Sequence, residues 1–260
     1  MQNCRLAITA ILFCACSGYA VASKEAPSWV TEAASKTLPN YPGKVPAAVL
    51  LEEQRVNVDN SGLVTTRTRR AIKILTHEGQ RSANAIVPYL RGGSRVNGLH
   101  AWLVAPGGFV KTYEKSSVVD MGSFDEMELY NDFRFQRIRA DNPEIGAVFA
   151  YESEVEERAL FAQDEFAFQS GLPVLDSRYS LTVPAGWQVK GVVFNHAPIA
   201  PLVDGSTYTW KLSDLPFRER EVSGPGMSGL APRLAITFLP SSTAAGISGT
   251  SFASWTDVSR

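Results

Sequence analysis

Between residues 47 and 239, apolar and β-branched runs of about 6 to 12 residues alternate with clusters of glycine, asparagine, aspartate and proline, and no long helical period recurs. A chain punctuated in this way has no room for the strand–helix alternation of a parallel sheet. It is expected to fold as strands joined by tight turns. Residues 49–57 and 63–75 flank Asp59-Asn60-Ser61-Gly62, and residues 99–105 and 109–113 flank Pro106-Gly107-Gly108, so both pairs read as hairpins. Further strands are expected at 133–140, 147–158, 165–168, 177–183, 187–194, 207–212 and 234–239. The fold class that follows is all-β: an antiparallel β-sandwich of roughly ten or more strands. Trp29, Val30, Ala33, Ala34 and Leu38 carry a weak helical spacing ahead of it, which predicts one short N-terminal helix. The acidic stretch from Asp120 to Asn131 is open between a short helix and a loop.

The first residues read as an address. Arg5 supplies a positive charge, residues 6–13 are apolar, and Ala20-Val21-Ala22 is a small-residue cleavage signal ahead of Ser23, the pattern of a secretory signal peptide. The apolar run falls short of the ~20 residues that span a bilayer, and no later stretch comes close. A lipid anchor on Cys16 competes with this reading, but Phe13-Cys14-Ala15 is a poor lipoprotein signal. The expected location is therefore periplasmic or extracellular. All 3 cysteines, Cys4, Cys14 and Cys16, fall inside this segment. After cleavage the chain would hold no disulfide, no thiolate metal site and no cysteine nucleophile, and packing alone would stabilise it. The expected organisation is a signal peptide over 1–22, a short helix and linker over 23–46, the sandwich over 47–239, and over 240–260 a linker and the start of a missing following domain.

With 25 basic against 26 acidic side chains, a formal charge of -1 and a pI near 6.3, the chain has no cationic excess to hold a polyanion, which argues against nucleic acid as a partner. The available histidines are His77, in the turn Thr76-His77-Glu78-Gly79, His100, within a strand, and His196, at a strand end before Pro198. None accompanies a Gly-x-Ser-x-Gly elbow or shows the spacing of a zinc motif, so each reads as structural or surface. Gly92-Gly93 and Gly107-Gly108 read as turns, since neither precedes a helix or carries a phosphate-loop pattern. Catalytic, metal and cofactor-binding residues are accordingly expected to be none.

Paired carboxylates are the one constellation with chemistry in it. Glu152, Glu154 and Glu156 alternate with Ser153 and Val155, so on a strand they share one face at spacings near 6.6 Å, within the range that glycoside hydrolysis uses for its acid and base. Three like charges in a row more often mark a solvated face with cross-strand ion pairs, and Arg134, Arg137 and Arg139 on the preceding strand are expected partners. Glu52 and Glu53 stand in the same relation to Arg67, Arg69 and Arg70 across the first hairpin. Trp102, Trp187 and Trp210 could line a sugar groove, but in a sandwich such residues fill the core.

Several of these segments together resemble a known family. Ala48-Val49-Leu50-Leu51-Glu52-Glu53, Leu75-Thr76-His77-Glu78-Gly79, Leu99-His100-Ala101-Trp102-Leu103-Val104-Ala105-Pro106-Gly107-Gly108, Tyr130-Asn131-Asp132-Phe133-Arg134, Leu172-Pro173-Val174, Tyr179-Ser180-Leu181-Thr182-Val183-Pro184-Ala185-Gly186-Trp187, and Tyr208-Thr209-Trp210 with Leu215-Pro216 are similar to the domain of unknown function found N-terminal to transglutaminase-like domains in exported bacterial proteins. The resemblance spans roughly residues 47–239 and rests on turn and strand signatures taken as a set. It implies a β-sandwich of unknown activity, normally followed by a papain-like domain with a Cys, His and Asp triad. No position here matches a member of that triad, so no catalytic residue carries over. The expectation is a non-catalytic exported module that helps a transglutaminase-like or other envelope protein domain through protein interaction or substrate positioning. A carbohydrate-active or carbohydrate-binding module using Glu152, Glu154 and Glu156 is the alternative, and an envelope adhesion or assembly module working through a sheet edge is another.

Overall fold

A computed structural model of the chain describes residues 26–42, 44–122, 132–158, 163–219, 224 and 226–240. The expected signal segment with its cysteines, the expected entry to a following domain after residue 240, and residues 123–131 of the acidic stretch lie outside the described residues.

Helix α1 (Ser28–Ala34) precedes fourteen strands among the described residues: β1 (Ala47–Val58), β2 (Leu63–Ile74), β3 (Asn84–Leu90), β4 (Ser94–Val104), β5 (Val110–Tyr113), β6 (Val119–Gly122), β7 (Phe133–Arg139), β8 (Val148–Arg158), β9 (Gln163–Ala167), β10 (Val174–Thr182), β11 (Gln188–Phe194), β12 (Leu202–Asp204), β13 (Thr207–Leu215) and β14 (Arg233–Leu239). Eight of them form one sheet in the order β12-β13-β10-β1-β2-β8-β4-β5, and the rest form two three-stranded sheets, β11-β14-β9 and β3-β7-β6. The small sheets lie side by side on one face of the large one. Val56, Tyr179, Leu181 and Trp210 of the large sheet pack against Phe166, Leu234, Ile236 and Phe238 of the first, and Leu99, Ala101 and Phe149 pack against Ala85, Val87 and Ile138 of the second. Each fully buried large side chain contributes roughly 1.5–3 kcal/mol of transfer free energy. This is the all-β sandwich that the turn-punctuated pattern demands.

Among the described residues the opposite face of the large sheet is covered only in part. Val30 and Ala33 of α1 pack with Leu50, Leu51, Ala71, Trp102 and Ala150, and Trp29 meets Trp102 edge-on with ring centroids 5.9 Å apart. Strand β1 records both environments in its own sequence. Ala47 to Leu51 are all buried because a layer covers each face, and beyond a bulge between Val49 and Leu51 the strand alternates, with Val56 and Val58 in the core.

Both expected hairpins form. Asp59 closes the first: its Oδ1 accepts hydrogen bonds from the Ser61 N–H (2.7 Å) and the Leu63 N–H (3.0 Å), and Gly62 takes the positive φ of 79° that the turn requires. In the Thr76-His77-Glu78-Gly79 turn the Pro46 carbonyl accepts from the N–H groups of Leu75 and Thr76. It lies so close to Gly79 that a Cβ there would stand 1.9 Å from its oxygen.

The structure corrects two readings. The large sheet is not wholly antiparallel: β1 and β10 run parallel, in register from Val49 with Val174 to Asn57 with Thr182, because β10 returns to the sheet beside β1 after a long excursion. Strands β3, β6 and β12 were also unread. The first carries Pro88, which an edge strand tolerates because its second side pairs with no strand among the described residues, and the other two are only 4 and 3 residues long.

Candidate functional site

The uncovered part of the large sheet carries the polar residues that alternate with the core. On β1 these are Glu53, Arg55 and Asn57; on β2, Arg67 and Arg69; on β8, Glu152 and Glu154; on β10, Arg178 and Ser180; on β13, Thr209 and Lys211. Cross-strand register aligns them in rows. Arg67 stands opposite Glu154 and Arg69 opposite Glu152, while across the parallel pair Glu53 stands opposite Arg178 and Arg55 opposite Ser180. An open groove of about 620 Å³ runs across these rows. Its lining includes Arg55, Arg67, Arg178, Ser180, Thr182 and Thr209.

Glu53 is its floor. Its side chain is 3 % exposed and its carboxylate meets three guanidinium groups: Arg55 Nη2 at 3.0 Å, Arg178 Nε at 3.6 Å and Arg69 Nη1 at 3.8 Å. Asp176, 13 % exposed, holds Arg178 Nη2 at 2.9 Å and Lys211 Nζ at 3.5 Å in the same manner. The bases rise above these acids, with side-chain exposures of 55 % for Arg55, 48 % for Arg67, 35 % for Arg178 and 55 % for Lys211. Over β1 and β10 acid lies below and base above, which gives that part of the face a cationic outer layer, whereas on β8 Glu152 and Glu154 stand beside Arg69 and Arg67.

The acidic strand takes its expected place on one face of β8, but its partners are on β2. Arg67 Nε donates to Glu154 Oε2 at 3.2 Å, and Arg69 Nε donates to Glu152 Oε2. Arg134 instead binds Asp120, and Arg137 donates to Asn84 Oδ1, because β7 belongs to a small sheet and is never adjacent to β8. Arg139 stands opposite Asn84 in that same small sheet. Arg95 of β4 stands in register with Glu156. Hydrogen bonds from Arg67 hold the Glu154 carboxyl below its usual range, so it stays ionised and has no proton to give at neutral pH. That is the wrong state for the acid of an acid–base pair.

Glu52 and Arg70, paired across the first hairpin as expected, point to the other face, where Arg70 Nε lies 2.8 Å from Glu52 Oε2. Burial pushes the Glu52 carboxyl above its ordinary value while Arg70 pulls it back. On this inner side Tyr179 donates to Asp164 Oδ2 at 2.7 Å and Gln54 Nε2 donates to the same oxygen at 3.3 Å. Burial raises the Asp164 carboxyl, and burial beside that carboxylate pushes the Tyr179 phenol far up, so it remains a donor.

The histidines do not meet. His77 opens a one-turn segment, His100 stands opposite Glu152 in register with its ring beside Trp102 (6.4 Å), and His196 Nδ1 lies 2.9 Å from the Ala197 carbonyl oxygen. Among the described residues no three His, Cys, Asp or Glu side chains group as metal ligands. Trp210 is buried in the core, Trp102 lies under α1, and Trp187 stacks on Phe238 at 6.3 Å, so none offers a sugar platform in the groove. The groove residues of β10 and β13 were not singled out in the sequence. Their signal was present in the alternation of Arg178, Ser180 and Thr182 and of Thr207, Thr209 and Lys211, but nothing local places them beside Glu53.

The family model of a domain of unknown function with a solved structure, DUF3857, matches residues 60–219. No curated protein matches the chain. Among solved structures it is similar to one named a "putative protease" from Parabacteroides distasonis ATCC 8503, with 16% sequence identity and a TM-score of 0.65 over 77% of this chain and 42% of that one. It also matches yeast LTA4 hydrolase in complex with bestatin (10% identity, TM-score 0.38, 81% of this chain and 33% of that one) and an M1 zinc metallopeptidase from Deinococcus radiodurans (9% identity, TM-score 0.36, 75% and 43%). The chain thus spans less than half the length of each. The likeness to the Parabacteroides structure is one of fold.

Proposed function

The chain belongs to the DUF3857 family, and from that premise we propose that it is an exported, non-catalytic recognition module that serves a transglutaminase- or protease-like domain by protein interaction or substrate positioning. The observation that carries this reading is the state of the groove. Its charged groups are already tied to one another, Glu53 and Asp176 beneath, Glu154 on Arg67 and Glu152 on Arg69. Such a surface offers directional contacts to a partner, while a turnover site needs a free base or nucleophile. The absence of cysteine after Cys16 supports the same view, as does a fold that fills only 42% of the Parabacteroides chain it resembles. Export is supported by the charge, apolar run and small-residue signal of residues 1–22. Among the described residues no helix is long and apolar enough to cross a membrane.

Turnover of a protein substrate such as casein, by hydrolysis and by isopeptide formation, tests the proposal. The chain alone should give none, and joined to a transglutaminase-like domain it should lower KM relative to that domain alone. Turnover by the purified chain would overturn the reading. Protein recovered from the cell envelope should begin at Ser23.

A further inference from the structure

Arg55 and Arg67 are direct register partners across β1 and β2. Like charges in that position repel, with Cβ atoms only about 5 Å apart. Arg55 is offset by Glu53, Arg67 by Glu154 and from further off by Glu152, and Arg178 stands on the strand beyond Arg55. Each of these ion pairs is one-sided. Among the described residues Arg55 donates through Nη2 to Glu53 and Arg67 through Nε and Nη2 to Glu154, so Nη1 of each faces solvent rather than another protein group.

Building on the recognition reading above, we propose that this groove binds an extended acidic peptide whose carboxylates sit between and above Arg55, Arg67 and Arg178. A carboxylate lying between two opposed guanidinium groups relieves their repulsion and takes paired N–H donors from them. This is the chemistry by which arginine clusters read acidic motifs. The hydroxyls of Ser180 and Thr209 (3.0 Å) and of Thr182 and Thr207 (2.9 Å) bond each other in pairs, and the one O–H left over in each pair can donate to a main-chain carbonyl of the peptide. From β13 to β8 the groove crosses four strand spacings, roughly 19 Å, the length of about six extended residues. Among the described residues no aromatic ring lines it, which leaves it without the stacking surface on which a sugar would rest.

Fluorescence anisotropy with the full chain and labelled hexaglutamate, hexaglutamine and hexalysine tests the assignment. Hexaglutamate should bind most tightly, and added salt should weaken it. R55Q and R67Q should each weaken it by roughly tenfold, while E154Q, which frees Arg67, should strengthen it by about two- to threefold. Loss of fold would weaken binding in all three variants, so the opposite sign for E154Q separates recognition from damage. Equal binding of hexaglutamate and hexaglutamine, or arginine variants that bind as the wild type does, would overturn the acidic assignment and leave peptide recognition standing. Failure of all three peptides would remove both. An oligogalacturonate that outcompetes hexaglutamate and responds to the same substitutions would make the ligand a glycan and overturn the proposal.

Discussion

Glu53 and Arg178 face each other across the parallel β1–β10 pair, with Arg178 Nε 3.6 Å from a carboxylate that is itself almost wholly enclosed. Two further arginines converge on that carboxylate, and this makes Glu53 the charge on which the outer face depends.

Replacing Glu53 should therefore be costly. Glu53→Ala takes the one acid from Arg55 and one of two from Arg69 and Arg178, which keep Glu152 and Asp176, and losing a buried charged hydrogen-bond partner costs about 1–3 kcal/mol. Urea denaturation should show that loss. Arg55→Gln should cost less than about 1 kcal/mol, because Arg55 is half-exposed and Arg69 and Arg178 stay in place.

Arg67 and Glu154 form the contrasting case, a direct cross-strand pair with both partners open to solvent. A double-mutant cycle of Arg67→Ala and Glu154→Ala should return a coupling of about 0.2–1 kcal/mol that shrinks with salt. A coupling as large as the Glu53 effect would show that the outer row also holds the fold.

Gly191 of β11 lies against the core tryptophan of the facing sheet, where a Cβ would stand 2.6 Å from Trp210 Cζ2. Gly191→Ala should destabilise by about 1–3 kcal/mol through overpacking. Trp210→Phe removes the atom that clashes, so the double variant should be less destabilised than the sum of the two single changes, the cycle giving a coupling of about 0.5–3 kcal/mol.

Asp164 predicts a pH dependence. Burial raises its carboxyl in the folded chain above the ordinary value of 3.8, so between those two values the native state holds a proton that the unfolded state has released. Stability from this group is complete below 3.8 and is lost as pH rises through the folded value. The urea midpoint of the wild type should fall relative to that of Asp164→Asn over this window and run parallel to it above. A wild-type midpoint that rises relative to that of Asp164→Asn as pH increases through this window would contradict the assigned sign.

The strands that alternate cleanly were legible. Residues 49–57 with 63–75, and 147–158, announce themselves by period, and Asp59 with Gly62 marks the first turn, but which arginine of β2 meets Glu52 and which meets Glu53 depends on a register that the sequence leaves open. The partners of Glu152 and Glu154 were misplaced for a physical reason. Adjacency along the chain was read as adjacency in the sheet, but β7 leaves for another layer and β8 inserts between β2 and β4. The groove was illegible for a stronger version of the same reason, since Arg178 reaches Glu53 only through a parallel register that no turn dictates.

That register also orders events in time. Strand β1 can close its hairpin with β2 at once, but its other edge must wait until most of the polypeptide has been made and β10 arrives. Until then β1 is a bare template of amides with a half-neutralised carboxylate along it, open to any passing strand. A molecule arrested before Val174 would carry a sticky seam in place of a receptor, so competence for binding waits on β10 and on β13, which pairs onto it.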